Sequence, residues 1–78
     1  MYEEKILRLE TEIQELKKYI KNNKKEIKKR EKILAMTTDE EIEVEIWEYK
    51  EDIESYKEQI KYKKQLLRNY KNLWNNQQ

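Results

Sequence analysis

Three groups of side chains in this 78-residue sequence could do chemistry. The first is a row of carboxylates at helical spacing, Glu41, Glu45 and Glu48. Such a row can offer oxygen ligands to a hard cation. Metal sites in helical bundles also draw on a Glu-x-x-His pair, and the chain has no histidine. A solvated acidic face with no metal is the expectation. The second group is the tract KKYIKNNKKEIKKREK, residues 17–32, with nine Lys/Arg against two Glu. Its cations could meet phosphates, and Lys21, Lys25, Lys28 and Lys29 are the candidate nucleic-acid face. The third is the single serine, Ser55. With neither His nor Cys present, no nucleophile–base pair can be drawn, and with no glycine no loop can cradle a phosphate. The chain is therefore expected not to be an enzyme and to use no catalytic residue, cofactor or small-molecule substrate.

The elements that carry these groups are legible from apolar spacing. Ile6, Ile13, Ile20, Ile27 and Leu34 recur every seven residues, and Tyr2, Leu9, Leu16, Asn23 and Arg30 fill the column between them. Steps alternating between three and four make this a heptad seam, the first column at a and the second at d. The second half repeats it, with Ile46, Ile53, Ile60, Leu67 and Trp74 at a and Ile42, Tyr49, Tyr56, Lys63 and Tyr70 at d. Glycine and proline, the two poorest residues in a helix interior, are both absent.

The two seams are out of phase. From Leu34 to Ile46 is 12 residues, five beyond one heptad. A continuous rod absorbs insertions of three or four. Five swings the apolar stripe away, so the stretch ILAMTTDEEIEVEI, residues 33–46, predicts a chain reversal. Thr38 with Glu41 has the form of a capping box, and Thr37 with Glu40 is the alternative. The expected fold is all-α: an antiparallel two-helix coiled-coil hairpin. Helix 1 covers about 2–36, the turn about 37–39, helix 2 about 39–74, and 75–78 form a frayed tail, all within one unit, 1–78.

Folding back sets each a residue against a d residue in layers whose numbers add to 76, such as Ile27 with Tyr49 and Asn23 with Ile53. Charge agrees with that direction. Residues 17–32 carry a net +7, and residues 39–58, with ten Asp/Glu against two Lys, carry −8. Antiparallel pairing places these blocks side by side, which selects orientation more than it adds stability. At the flanks the same register sets Lys17 and Lys24 near Lys50 and Lys57, and Glu26 near Asp52. Each flank then carries one sign near its middle, which a second hairpin could neutralise. Asn23, Arg30 and Lys63 interrupt the seam; a polar residue there can fix register, and the two cations can snorkel outward.

Apolar residues also lie off the seam. Tyr19, Ile33, Leu66 and Leu73 share the g column, with Tyr62 beside them at c. Widening of the apolar stripe is what a helix in a bundle core needs. These five residues are the candidate dimer face, and the expected assembly is a homodimer in an antiparallel four-helix bundle. A hetero-complex through the same face is the rival.

The expected function is a noncatalytic protein–protein interaction module. Glu48, Glu51, Glu54 and Glu58 are the candidate acidic face for an unidentified protein partner. A small phage or mobile-element regulator or inhibitor, acting on a host protein, fits the size and the AT-rich codon usage that abundant Lys, Ile, Asn and Tyr imply. The alternatives are a nucleic-acid-binding hairpin using tract 17–32, or a purely structural coiled coil. No apolar run suits a signal peptide or a membrane span. A cytoplasmic protein without membrane contact is the expectation. Heptads recur in countless unrelated proteins, so the pattern points to no family.

Overall fold

A computed structural model of the chain describes residues 1–76. Two helices make the fold: α1, Tyr2–Leu34, and α2, Glu40–Asn76. They lie antiparallel as a hairpin with extents of 61 × 14 × 13 Å. The long dimension is what a helix of 37 residues requires, about 56 Å at 1.5 Å per residue.

The seam is the core. Every a and d position named above is buried or half-buried. Leu9, Ile13 and Leu16 are buried towards the open end, and Ile27, Ile46 and Ile53 form a cluster nearer the turn, with Ile20, Leu34, Ile42 and Tyr49 packed around it. Contacts between the helices agree with the expected register: Arg30 meets Glu45, Lys63 meets Glu12 and Tyr19 meets Tyr56, pairs whose numbers add to 75. Aromatic contacts run the length of the seam. Tyr19 and Tyr56 meet with ring centroids 5.7 Å apart, and Tyr2 and Tyr70 at 6.0 Å. At the open end Tyr2 thus packs one turn from its layer partner Trp74, which is itself half-buried.

The turn is built differently from the expectation. α1 ends at Leu34 rather than near 36, and α2 begins at Glu40. The reversal uses no residue with positive φ, so glycine, the usual residue for a left-handed helix end, is not needed. Instead the last carbonyls of α1 stay engaged. Ala35 N–H donates to Glu31 O at 3.0 Å, and the Met36 and Thr37 N–H groups donate to Ile33 O at 3.0 and 3.1 Å. The Thr37 hydroxyl also donates to Ile33 O, at 3.3 Å. Thr37 therefore closes α1 and does not cap α2.

The cap of α2 is Asp39. Its Oδ1 accepts the Glu41 N–H at 3.0 Å, and its carbonyl accepts the Glu43 N–H at 3.3 Å. The Thr38–Glu41 capping box is thus replaced by an Asp cap. Aspartate ranks above threonine at this position, and its negative charge lies at the positive end of the helix dipole, ahead of Glu40, Glu41 and Glu43. Asp39→Ala is expected to cost about 1 kcal/mol, a fall in Tm of about 4–8 °C for a chain of this size. Thr38→Ala should stay within about 0.5 kcal/mol. Thermal melts of both variants followed by circular dichroism check the assignment, and equal losses would return the cap to Thr38. At the far end α2 runs on to Asn76, two residues past its expected end, so Asn75 and Asn76 of the expected frayed tail are helical. Residues 77 and 78 lie outside the described residues.

Candidate functional site

The heptad places the positions flanking the seam on two opposite sides of the hairpin. One side gathers the g positions of both helices, and the other gathers the e positions. Their chemistry differs sharply.

On the g flank, acids are met by the two cations of the seam. Lys63 Nζ donates to Glu12 Oε2 at 2.6 Å, so its amine leaves the core along an apolar stem. Arg30 does more. Its Nε donates to Glu45 Oε2 at 2.7 Å across the seam, and its Nη1 donates to Glu26 Oε2 at 2.5 Å within α1. The guanidinium also lies over the Tyr49 ring, 4.8 Å from the centroid. Lys29 adds a second, longer contact to Glu26 at 3.6 Å. Glu26 was expected to face Asp52; it turns to its own helix, because a cation one turn away offers a charge-assisted hydrogen bond where Asp52 offers repulsion.

The hydrogen bond from Arg30 holds the Glu26 carboxyl below its ordinary value of 4.5, and the positive charge of Lys29 acts in the same direction. Arg30 is correspondingly held more firmly charged, by its hydrogen bond to Glu45 first and to Glu26 second. A lowered folded-state value means that the contribution of Glu26 is fully present above pH 4.5 and is lost as pH falls through the lower folded value. Glu26→Gln is therefore expected to lower Tm slightly at neutral pH and to leave it nearly unchanged at the acid end, which flattens the fall between them. Melts taken at intervals from pH 6 to pH 2 check this.

Beside these ion pairs the g flank carries four apolar side chains, with Lys5, Asp52 and Gln59 as its remaining polar members. Tyr19, Ile33 and Leu73 are 46%, 48% and 46% exposed, Leu66 is half-buried, and Tyr62 stands 66% exposed one turn before Leu66. Four of the five candidate dimer residues thus share one side of the rod, and Tyr62 borders it. Asn23, in the seam, directs its amide to the Tyr49 carbonyl at 3.5 Å.

The e flank is the reverse. Lys17 and Lys24 of α1 lie on the same flank as Lys50, Lys57 and Lys64 of α2, and among the described residues the ion pairs across the seam here reduce to Lys71 with Glu10, 3.7 Å apart at the open end. Lys57 pairs only within its helix, with Glu54 at 3.6 Å. The basic and acidic blocks of the sequence thus meet through a single ion pair among the described residues, Arg30 with Glu45. Little of their adjacency becomes direct ion pairing, because about half of the charged block residues sit at b, c and f, pointing away from the partner helix.

Lys21, Lys25, Lys28 and Lys29 all lie exposed on the outer side of α1; among the described residues only Lys29 forms an ion pair. Glu48, Glu51, Glu54 and Glu58 lie exposed on the outer side of α2, with Glu54 paired to Lys57. Each set is a single-helix surface. Sequence reasoning passed over Lys64 as a member of a basic surface. The signal was its e position, one heptad beyond Lys57.

No group of acidic side chains among the described residues is gathered closely enough to hold a metal ion, and no helix there is long and apolar enough to cross a membrane. Ser55 is exposed, and its hydroxyl accepts a hydrogen bond from Gln59 at 3.3 Å. Comparison of the chain with protein-family models, curated proteins and solved structures gives no match.

Proposed function

We propose that the chain is a noncatalytic interaction module. Two hairpins pair through their g flanks into an antiparallel four-helix bundle, and the assembly acts as a small regulator or inhibitor by binding another protein. The acidic outer side of α2, with Glu48, Glu51, Glu54 and Glu58, is the candidate surface for that partner. The observation that carries this reading is the gathering of Tyr19, Ile33, Leu66 and Leu73 on one flank, with Tyr62 at its border, while Leu7, Val44 and Trp47 lie exposed singly elsewhere.

Surface area supports it. The isolated hairpin exposes 6565 Å². A compact protein of 9.9 kDa exposes about 5,200 Å². The excess exceeds the roughly 800 Å² that each partner contributes to a standard interface. Charge supports it as well. Glu12, Glu26 and Glu45 are each ion-paired with Lys63 or Arg30, which leaves Asp52 as the one acid of the g flank without an ion pair among the described residues and reduces the like charge a second copy would meet there.

Sedimentation equilibrium over a wide concentration range tests the self-association. The expected species has twice the 9.9 kDa chain mass. A single species of chain mass at every concentration would remove the dimer.

A further inference from the structure

Five exposed lysines contributed by both helices occupy the middle of the e flank, Lys17, Lys24, Lys50, Lys57 and Lys64, with Glu31 and Glu43 at e towards the turn and Glu3, Glu10 and Lys71 at e towards the open end. We infer that this flank binds the phosphate backbone of a nucleic-acid duplex. The site is distinct from the outer face of α1, since three of its five members belong to α2, within or just beyond the acidic half of the chain.

Four observations point to it. First, the charge here is left unspent. Both seam cations turn to the other side, Arg30 to Glu26 and Glu45 and Lys63 to Glu12. Among the described residues the five flank lysines form one ion pair, the 3.6 Å contact of Lys57 with Glu54 on its own helix. Second, the spacing is regular. Lysines one heptad apart stand about 10.5 Å apart along the axis. Lys50 to Lys64 therefore covers about 21 Å, some six base steps of duplex at about 3.4 Å each. Third, Lys21 and Lys28 lie on the adjoining strip of α1 and form no ion pair among the described residues, which widens the positive surface beyond one row.

Fourth, the composition of the flank selects among polyanions. No e position carries an apolar or aromatic side chain. Protein interfaces are anchored by buried Trp, Tyr and Arg, and single-stranded nucleic acid is held by aromatic stacking. The e positions offer neither, and Trp47, exposed at b beside Lys50, is the one aromatic at their border among the described residues. Lysine acts on phosphate as a point charge, so the flank matches a rigid line of phosphates and reads no base sequence. It lies opposite the g flank, and so remains free when two hairpins pair; a duplex could then be held on each outer side of the bundle.

Fluorescence anisotropy of a labelled 20-base-pair duplex, titrated with the full chain at several salt concentrations from 50 mM upward, tests the inference. Binding is expected at 50 mM, with a log–log salt slope of about −4 to −5 from five phosphate contacts. The double variant Lys50→Gln, Lys57→Gln should reduce the slope by about two and weaken binding on the order of tenfold or more. The control, Gln65→Glu with Asn72→Glu, makes the same change in net charge on the outer side of α2 and should bind within about twofold of the parent. Circular dichroism establishes that both variants remain helical. The inference fails if the parent does not bind at 50 mM, if both variants lose equally, or if the lysine variant keeps the parent slope. It also fails if single strands of the same sequence bind as tightly as the duplex. Equal competition by polyglutamate of matched charge would make an acidic polypeptide the occupant and overturn it too.

Discussion

The double variant Leu66→Lys, Leu73→Lys is expected to sediment as a monomer at concentrations where the parent chain is dimeric. Both leucines lie on the g flank, one half-buried and the other 46% exposed in the isolated hairpin. Complete burial of a leucine is worth about 1.5–3 kcal/mol. Each has roughly half of that left to gain, and a two-fold interface uses both from both copies. The loss is then about 3–6 kcal/mol per dimer, a rise in Kd of roughly 10²- to 10⁴-fold. Thermal melts carry an independent signature. The Tm of the parent should rise with protein concentration, because association stabilises only the folded chain. The Tm of the variant should be lower and independent of concentration. A control with Leu7→Lys and Val44→Lys makes the same change in charge at exposed apolar residues off the g flank and should leave the dimer intact. Equal disruption by both pairs would show a charge effect rather than a docking face.

In the proposed dimer, the same surface would give the seam cations a purpose beyond register. An arginine or lysine in a coiled-coil seam removes an apolar layer. Here each carries its charge to the g flank, where Glu45, Glu26 and Glu12 await it. Had Arg30 and Lys63 been leucines, the seam would be drier and the g flank would be a row of unbalanced carboxylates. A second copy would then meet repulsion beside every apolar contact. The polar layers thus exchange some stability of the hairpin for compatibility of its flank with association. On the e flank the corresponding compensation across the seam is limited, among the described residues, to Lys71 with Glu10, so a second copy would meet like charge at its middle.

The sequence makes the hairpin legible because helical phase is a global property. A five-residue slip between two unbroken heptad seams admits few folds, and the a-to-d layers follow once the chain reverses. The turn is legible only in outline. Thr37, Thr38 and Asp39 all have capping chemistry, and their choice depends on which backbone N–H groups each can reach after the reversal. Asp39 reaches the Glu41 N–H, while the Thr37 hydroxyl is taken by the Ile33 carbonyl. Ion pairs are the least legible. Long side chains at d and g reach several partners of similar energy, so pairing numbers alone set Glu26 against Asp52, whereas Arg30 within the same helix captures it. What remains exposed on each flank is decided by those captures. For this reason the register in the sequence gathers Lys17, Lys24, Lys50 and Lys57 on one flank, while Lys64 and the scarcity of ion pairs there among the described residues emerge from the structure.

The register itself is open to a quantitative test through the layer of Asn23 and Ile53. Ile53 is 6% exposed and lies in the buried cluster with Ile27 and Ile46. Ile53→Ala is expected to cost about 2–5 kcal/mol, against a total of roughly 4–12 kcal/mol for a chain of this length. It should melt well below the parent and, at low protein concentration, be substantially unfolded at 37 °C. Asn23 lies on the facing helix and reaches only the Tyr49 carbonyl, at 3.5 Å. Replacing it by leucine removes a weak hydrogen bond and adds apolar contact, so Asn23→Leu alone should stabilise by about 1 kcal/mol. In one layer the two changes are coupled, because the added leucine can occupy volume vacated at position 53. The double variant should exceed the sum of the single effects by about 0.5–3 kcal/mol, whereas Ile53→Ala combined with Leu9→Ala, far along the rod, should be additive within about 0.5 kcal/mol. Strict additivity for Asn23 with Ile53 would mean that they do not share a layer. Every flank assignment depends on that register, since sliding one helix by a single heptad brings Lys24 opposite Glu43 and dissolves the lysine surface.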